Sequence, residues 1–365
     1  MTPQSGIVEC RFVMALCRPG FEGECAGELI ARLDHCAIDG RHGAFPRSGQ
    51  VRIDLDNIHP FDFLDRAIRL AALTFVRQLS FGFADIDGLA DKDRVSPLLV
   101  AARKAGTPFS AILPEAADGT AQRPLAALAR RLQAPLDRAF EKHHLLRPRR
   151  TQLPRLNILL AAPERAWLGL SSAANGSPWP MGIPRLRMPS RSPSRATLKL
   201  AEALLTLLTT AELEAAMRPG QRAVDLGAAP GGWSWQLANR GLRVTAVDNG
   251  AMSPQVLATG MVEHVRADGF TWRPATGVDW LVCDMVEQPA RISRLMADWV
   301  ASGRARRAIF NLKLPMKKRL AEIENCRRLI GRRFAQASTD FDLRLRQLYH
   351  DREEVTAYLA ACPSG

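Results

Sequence analysis

A glycine cluster framed by two aspartates limits what this chain can fold into more than any other feature. Residues 222–250 hold the apolar positions Ala223, Val224 and Leu226, the loop Gly227-Ala228-Ala229-Pro230-Gly231-Gly232, a helical stretch, and a second apolar run, Val244, Ala246 and Val247, that closes on Asp248. Strand, tight turn, helix and strand in that order make a βαβ unit, which belongs in a mostly parallel α/β sheet. Gly227, Gly231 and Gly232 lack a Cβ, so the backbone can turn sharply and a ligand can approach it. Asp248 lies 23 residues past Asp225, at the end of the next strand, where a carboxylate can accept both hydroxyl hydrogens of a ribose.

The loop chemistry narrows the choice of nucleoside. A dinucleotide pyrophosphate calls for G-x-G-x-x-G opening a helix, whereas this loop carries a proline in its middle. Asp225, directly before it, would repel a phosphate but suits the cationic amino-acid end of S-adenosylmethionine. The stretch therefore points to a methyl donor rather than NAD.

At 365 residues, two or three domains are expected. The net charge of +13 and the isoelectric point near 10.1 favour a polyanionic partner. The excess is local: residues 123–155 carry nine Arg/Lys against two acids, and six basic residues with no acid lie between Glu164 and Glu202. Nucleic acid is the expected partner. Seven cysteines without a C-x-x-C spacing read as reduced thiols, and the one adjacent histidine pair, His143-His144, sits in a basic stretch, so no metal site is expected. With no signal-peptide pattern and no apolar run of membrane length, the expected location is cytoplasmic and no membrane partner is expected.

Taken in order, residues 7–17 alternate as a half-buried strand, 21–33 form a helix, and 51–55 another strand, giving an α+β unit over 1–58. A second unit over 59–172 contains strand-like Leu73–Leu79, a helix near Val95–Lys104, an apolar stretch at Phe109–Leu113, a basic helix over Pro124–Leu146, and strands at Leu156–Ala162 and Ala166–Leu170. Arg130 and Arg131 on the basic helix and Arg149 and Arg150 just after it form a surface suited to a phosphate backbone. Residues 173–193, rich in proline and arginine, read as a linker. Ser194 then opens an amphipathic helix that carries Lys199, within a third domain over 194–365. Further strands deliver Asp268, Asp284 and Lys313 at their C-terminal ends, the edge where open parallel sheets bind ligands, and Glu354 starts the last strand of an antiparallel hairpin.

These motifs together resemble the FtsJ-like ribose 2′-O-methyltransferases: Asp225 through Trp233, Ser194 through Lys199, Cys283-Asp284-Met285, Asn311-Leu312-Lys313 and Arg352-Glu353-Glu354-Val355. The likeness extends over nearly the whole chain to the RlmM branch, through Cys17-Arg18-Pro19-Gly20-Phe21, Pro184 to Leu200, Val282 to Glu287, Phe310 to Lys318 and Arg346 to Val355. The resemblance implies methylation of the 2′-hydroxyl of one cytidine in the peptidyl-transferase region of bacterial 23S rRNA, free or in a large-subunit precursor. The implied fold is a Rossmann-like class I methyltransferase, with a mostly parallel seven-stranded sheet and an antiparallel edge hairpin. Ferredoxin-like and THUMP units precede it, and the chain acts as a monomer.

Carried over position by position, the catalytic tetrad is Lys199, Asp284, Lys313 and Glu354. The donor is held by Ser194, Ala196, Ala229, Pro230, Gly231, Gly232, Asp248, Asp268 and Asp284. Two positions depart from the family pattern: Ala229 stands where cysteine is frequent, and Ala196 where serine is. Lys313 is the expected base, its pKa lowered by burial and by the like charge of Lys199. Lys317 and Lys318, directly after the catalytic strand, offer a phosphate clamp. The rivals are a base methyltransferase, disfavoured because Asp284-Met285-Val286-Glu287 replaces the Asn/Asp-Pro-Pro-aromatic motif, and a non-catalytic RNA-binding assembly factor with a vestigial donor fold.

Overall fold

The computed structural model describes residues 8–43 and 45–362. The outermost ends of the expected first and last domains, residues 1–7 and 363–365, lie outside the described residues. The chain divides into two compact units between Pro184 and Arg185.

In the first unit, β1 (Glu9–Leu16) leads into α1 (Glu22–His35), which buries Cys25, Ala26, Leu29 and Leu33 at helical spacing. Then come β2 (Gly40–His42), β3 (Gln50–Pro60), α2 (Phe61–Ala67), β4 (Gln78–Ile86), α3 (Val95–Arg103) and β5 (Ala111–Glu115). The unit ends with α4 (Arg123–Lys142), β6 (Arg155–Ala162) and β7 (Arg165–Ser171). All seven strands form one sheet in the order β2-β3-β1-β4-β7-β6-β5. β1 pairs antiparallel with β3 on one side and with β4 on the other, so the expected boundary at 58/59 falls inside β3 and the sheet runs on across it. On α4, Ala129, Leu132, Leu136 and Phe140 face inward while Arg130, Arg131, Arg138 and Lys142 are exposed.

Two expectations differ here. The strand placed at Leu73–Leu79 begins at Gln78 instead. The Glu28 carboxylate on α1 accepts hydrogen bonds from the backbone N–H groups of Thr74, Phe75 and Val76 at 2.7, 2.6 and 3.1 Å, which occupies the donors a strand would pair. The supposed linker is also largely part of the first unit. Asn175 accepts from Leu70 N at 2.6 Å, Ser177 N donates to Gln78 Oε1 at 2.9 Å, and Met181 N donates to Glu115 Oε1 at 2.6 Å.

The second unit opens with α5 (Ala196–Thr206) and α6 (Thr210–Ala216), followed by β8 (Arg222–Leu226), α7 (Gly232–Ala238), β9 (Arg243–Val247), α8 (Pro254–Leu257) and β10 (Val262–Val265). It continues with β11 (Val278–Cys283), α9 (Pro289–Ala301), β12 (Ala305–Lys313), α10 (Arg319–Gln336), β13 (Phe341–Arg346) and β14 (Glu354–Ala361). The sheet order is β10-β9-β8-β11-β12-β14-β13. Strands β8 to β12 are mutually parallel, while β14 runs antiparallel to both β12 and β13. The chain leaves β8 for β9 and β10 and returns to β11 on its other side, so the switch point lies between β8 and β11. Leu200, Leu204, Trp233, Leu237 and Trp280 form part of the core between the helices and this sheet. Among the described residues no helix is long and apolar enough to cross a membrane.

Candidate active site

At the switch point the C-terminal strand ends surround a cavity of about 390 Å³, lined by Gly227, Ala229, Asp248, Asp268, Asp284 and Met285 among others. Its floor depends on glycine. Gly227 has φ +74° and a Cβ there would collide with the Met285 side chain; at Gly231, φ +108°, a Cβ would come within 2.9 Å of Met252 and Val256. Gly232 opens α7 against Ser194, whose hydroxyl would meet any Cβ built there. Ser194 Oγ is itself buried without a hydrogen-bond partner among the described residues, a polar group ready for a ligand. Ala196, at the start of α5, presents only its methyl group to Gly232.

Asp248 accepts from Ala229 N at 2.9 Å and Gly250 N at 2.6 Å, which orients its carboxylate over the loop. Asp268 accepts from Phe270 N at 2.9 Å. A backbone cradle that any side chain would close, an orphan hydroxyl and carboxylates at the strand ends fit a nucleoside with a cationic tail. Asp225 stands back from this surface, although its position before the loop suggested contact with the donor. It is 1% exposed and accepts from Ser234 Oγ at 2.7 Å; burial, reinforced by the charges of Asp284 and Asp248, pushes its pKa up to about 7.

Beside the cavity, four charged side chains close a ring. Lys313 and Glu354 are register partners on β12 and β14, Asp284 follows the end of β11 next to β12, and Lys199 projects from α5. Lys313 Nζ lies 2.6 Å from Asp284 Oδ1 and Lys199 Nζ 3.4 Å from Asp284 Oδ2. Each lysine also pairs with Glu354, Lys199 through Oε1 and Lys313 through Oε2. The tetrad members are thus brought together, and Asp284 belongs to both ring and cavity.

The expected electrostatics of Lys313 are reversed. Burial disfavours its ammonium, yet the adjoining carboxylates of Asp284 and Glu354 outweigh burial and hold the pKa above the ordinary lysine value. The like charge of Lys199 is met by the same two carboxylates.

The FtsJ-like methyltransferase model matches residues 193–312, the RlmM ferredoxin-like domain 11–80, and the N-terminal model of ribosomal RNA large subunit methyltransferase M 93–172. The chain is 52% identical over 351 residues to ribosomal RNA large subunit methyltransferase M of Aromatoleum aromaticum, spanning 95% of this chain and 94% of that one. The chain belongs to the ribosomal RNA large subunit methyltransferase M family. The Thauera aminoaromatica member is 48% identical with 98% of each chain covered, and the Methylococcus capsulatus member 46% identical, covering 95% of this chain and 97% of that one. As a family member with an FtsJ-like domain, the protein is an S-adenosylmethionine-dependent methyltransferase. The ferredoxin-like match continues to residue 80, past the expected end at 58, in keeping with the pairing of β1 to β4.

The remaining expected site residues take no part in the ring's ion pairs. Arg130, Arg131, Arg149 and Arg150 are exposed in the first unit, and Lys317 and Lys318 are exposed between β12 and α10 in the second. Sequence reasoning gave no role to Glu202, three positions after Lys199. Its buried carboxylate accepts from Tyr349 N at 2.7 Å and His350 N at 3.0 Å, and meets His350 Nδ1 at 2.6 Å, anchoring the turn before Glu354. An acid one helical turn from Lys199 was the available signal.

Proposed function

We propose that this family member methylates the ribose 2′-hydroxyl of a cytidine in the peptidyl-transferase region of bacterial 23S rRNA. It acts in the cytoplasm, as a monomer, on the free RNA or a large-subunit precursor. What carries the reading is the double membership of Asp284, which lines the glycine-loop cavity and at the same time anchors two lysines that can handle an alcohol.

Bound in the cavity, S-adenosylmethionine supplies an electrophilic sulfonium methyl. Ala229, Pro230, Gly231 and Gly232 would provide the backbone cradle, Asp248 the ribose contacts, Asp268 and Asp284 further polar contacts, and Ser194 its free hydroxyl; Ala196 offers apolar contact only. A ribose hydroxyl is a weak nucleophile, so the chain must align the oxygen and accept its proton. Lys313 and Lys199 orient the oxygen, Glu354 fixes both lysines, and Asp284 directs Lys313. Because two carboxylates hold Lys313 as an ammonium, its deprotonated fraction takes the proton, and the rate climbs with pH from the acid side through neutrality. Arg130, Arg131, Arg149 and Arg150 in a THUMP-like segment, with Lys317 and Lys318, would grip phosphates.

The test supplies the purified protein with isotope-labelled S-adenosylmethionine and 23S rRNA lacking the modification, then digests the RNA to nucleosides. Label in 2′-O-methylcytidine from one position supports the reading. Label on a base overturns it, and so does a Lys313→Ala variant that performs like the parent, as a vestigial binding factor would.

A further inference from the structure

Asp284 is also held from behind by groups to which the methyl transfer above assigns no role. Asn311 Nδ2 donates to Asp284 Oδ1 at 2.8 Å, Thr356 Oγ1 lies 2.6 Å from Asn311 Oδ1, and the Asp351 carboxylate lies 3.1 and 3.3 Å from Thr356 Oγ1. Asn311 and Thr356 are 0% exposed and Asp351 is 1% exposed.

The donors and acceptors along this path can be arranged in one direction. Asp284 faces two ammonium groups, which can only donate, so its oxygens accept. Asn311 must therefore turn its NH₂ toward Asp284 and its carbonyl oxygen toward Thr356. A carbonyl cannot donate, so the single hydroxyl hydrogen of Thr356 points to Asn311. The Thr356 oxygen is then left to accept, and a hydrogen bond from Asp351 to it requires a protonated carboxyl.

We infer that Asp351, Thr356 and Asn311 form a directional hydrogen-bond chain, headed by a protonated carboxyl, that positions Asp284 for methyl transfer. The inference rests on the tetrad reading. Titratable and charged groups around Asp351 are Glu354 on β14, Lys199 and Glu202 on α5, and His350 in the same turn. Burial and then the Glu354 charge, with a smaller contribution from Glu202, outweigh the Leu348 N–H and Lys199 and push Asp351 up to about 8. When Asp351 ionises, the Thr356 hydroxyl is drawn toward it, Asn311 loses its partner, and Asp284 is released from its set orientation. Asparagine at 351 keeps a permanent N–H for Thr356 and an oxygen for Leu348 N, which Asp351 Oδ2 now accepts at 3.0 Å.

The experiment measures single-turnover methyl transfer by the full-length protein on unmodified 23S rRNA from about pH 6 to about pH 10. Thr356→Val should lower the rate at neutral pH by roughly tenfold or more while changing the KM for RNA by less than about twofold, and Thr356→Ser should restore it. The parent's rate should climb with pH and level off above about pH 8; Asp351→Asn should stay within about threefold at neutral pH and go on climbing. A fully active Thr356→Val, or an Asp351→Asn whose rate still levels off above about pH 8, overturns the inference. If Thr356→Val does not fold, the Asp351→Asn profile decides alone. Lys313→Met in the same assay separates the two levels: if it is inactive and Thr356→Val is normal, only the chain falls, whereas a fully active Lys313→Met removes the tetrad reading itself.

Discussion

Glu115 ends β5 in the first unit and Glu354 begins β14 in the second, and the two are almost equally buried, 4% and 5% exposed. Their partners differ. Glu115 takes neutral donors, Gln78 Nε2 at 3.2 Å, Asn157 Nδ2 at 3.2 Å and Met181 N at 2.6 Å, and burial raises its pKa. Glu354 takes two ammonium groups, each shared with Asp284 at the wall of a cavity. A buried carboxylate closed off by amides has no exchangeable charge to offer and serves to fasten the chain around Met181. One bracketed by lysines beside an open cavity can orient an incoming alcohol and hand on a proton. Burial alone does not separate structure from chemistry; the charge and the access of the partners do.

Substitutions in the two clusters should therefore produce opposite failures. Lys313→Met is expected to lower methyl transfer by roughly a thousandfold or more, while the unfolding transition and the affinity for S-adenosylmethionine stay near the parent's. Gly227→Ala should weaken S-adenosylmethionine binding by about a hundredfold in calorimetry, because φ +74° and the Met285 side chain leave no room for a Cβ. Glu115→Ala leaves Gln78, Asn157 and Met181 N without their shared acceptor. It should cost about 2–4 kcal/mol in urea unfolding, with binding of S-adenosylmethionine intact.

The most gradual effect, small within any one pH unit, is a dependence of stability on pH. Asp225, at about 7, keeps its proton in the folded chain after the unfolded chain has lost its own near the ordinary aspartate value of 3.8. The folded state then binds more protons, so stability should fall as pH rises between these values, by at most ~1.4 kcal/mol per pH unit for this group. Asp225→Asn should flatten that slope in unfolding curves measured across the interval. A slope that Asp225→Asn leaves unchanged would show the group ionised when folded.

How much could be read in advance follows from the range of each interaction. The βαβ unit was legible because Gly227, Gly231, Gly232 and Asp248 are local signals, and the tetrad because its four motifs resemble those of one family. The β12 to β14 register that sets Lys313 against Glu354 matches the expected meeting of these residues. The pairing of β1 with β4 was not legible, since strand partners leave no local trace. The Leu73–Leu79 segment looked like a strand by composition, but Glu28, 46 residues before Thr74, claims its backbone donors. Residues 173–193 read as a linker because their proline content hides the bonds of Asn175 and Ser177 to the first unit. The raised pKa of Lys313 escaped the sequence for a related reason: which charges lie nearest a lysine depends on a geometry that motifs do not specify.

The most direct test of the account is a map of 2′-O-methylation across 23S rRNA from cells lacking this protein, supplied with either the parent chain or Lys313→Met. Restoration of one ribose methyl, on a cytidine in the peptidyl-transferase region, by the parent alone is the predicted result. A map that is the same with the parent, with Lys313→Met and with neither would contradict it.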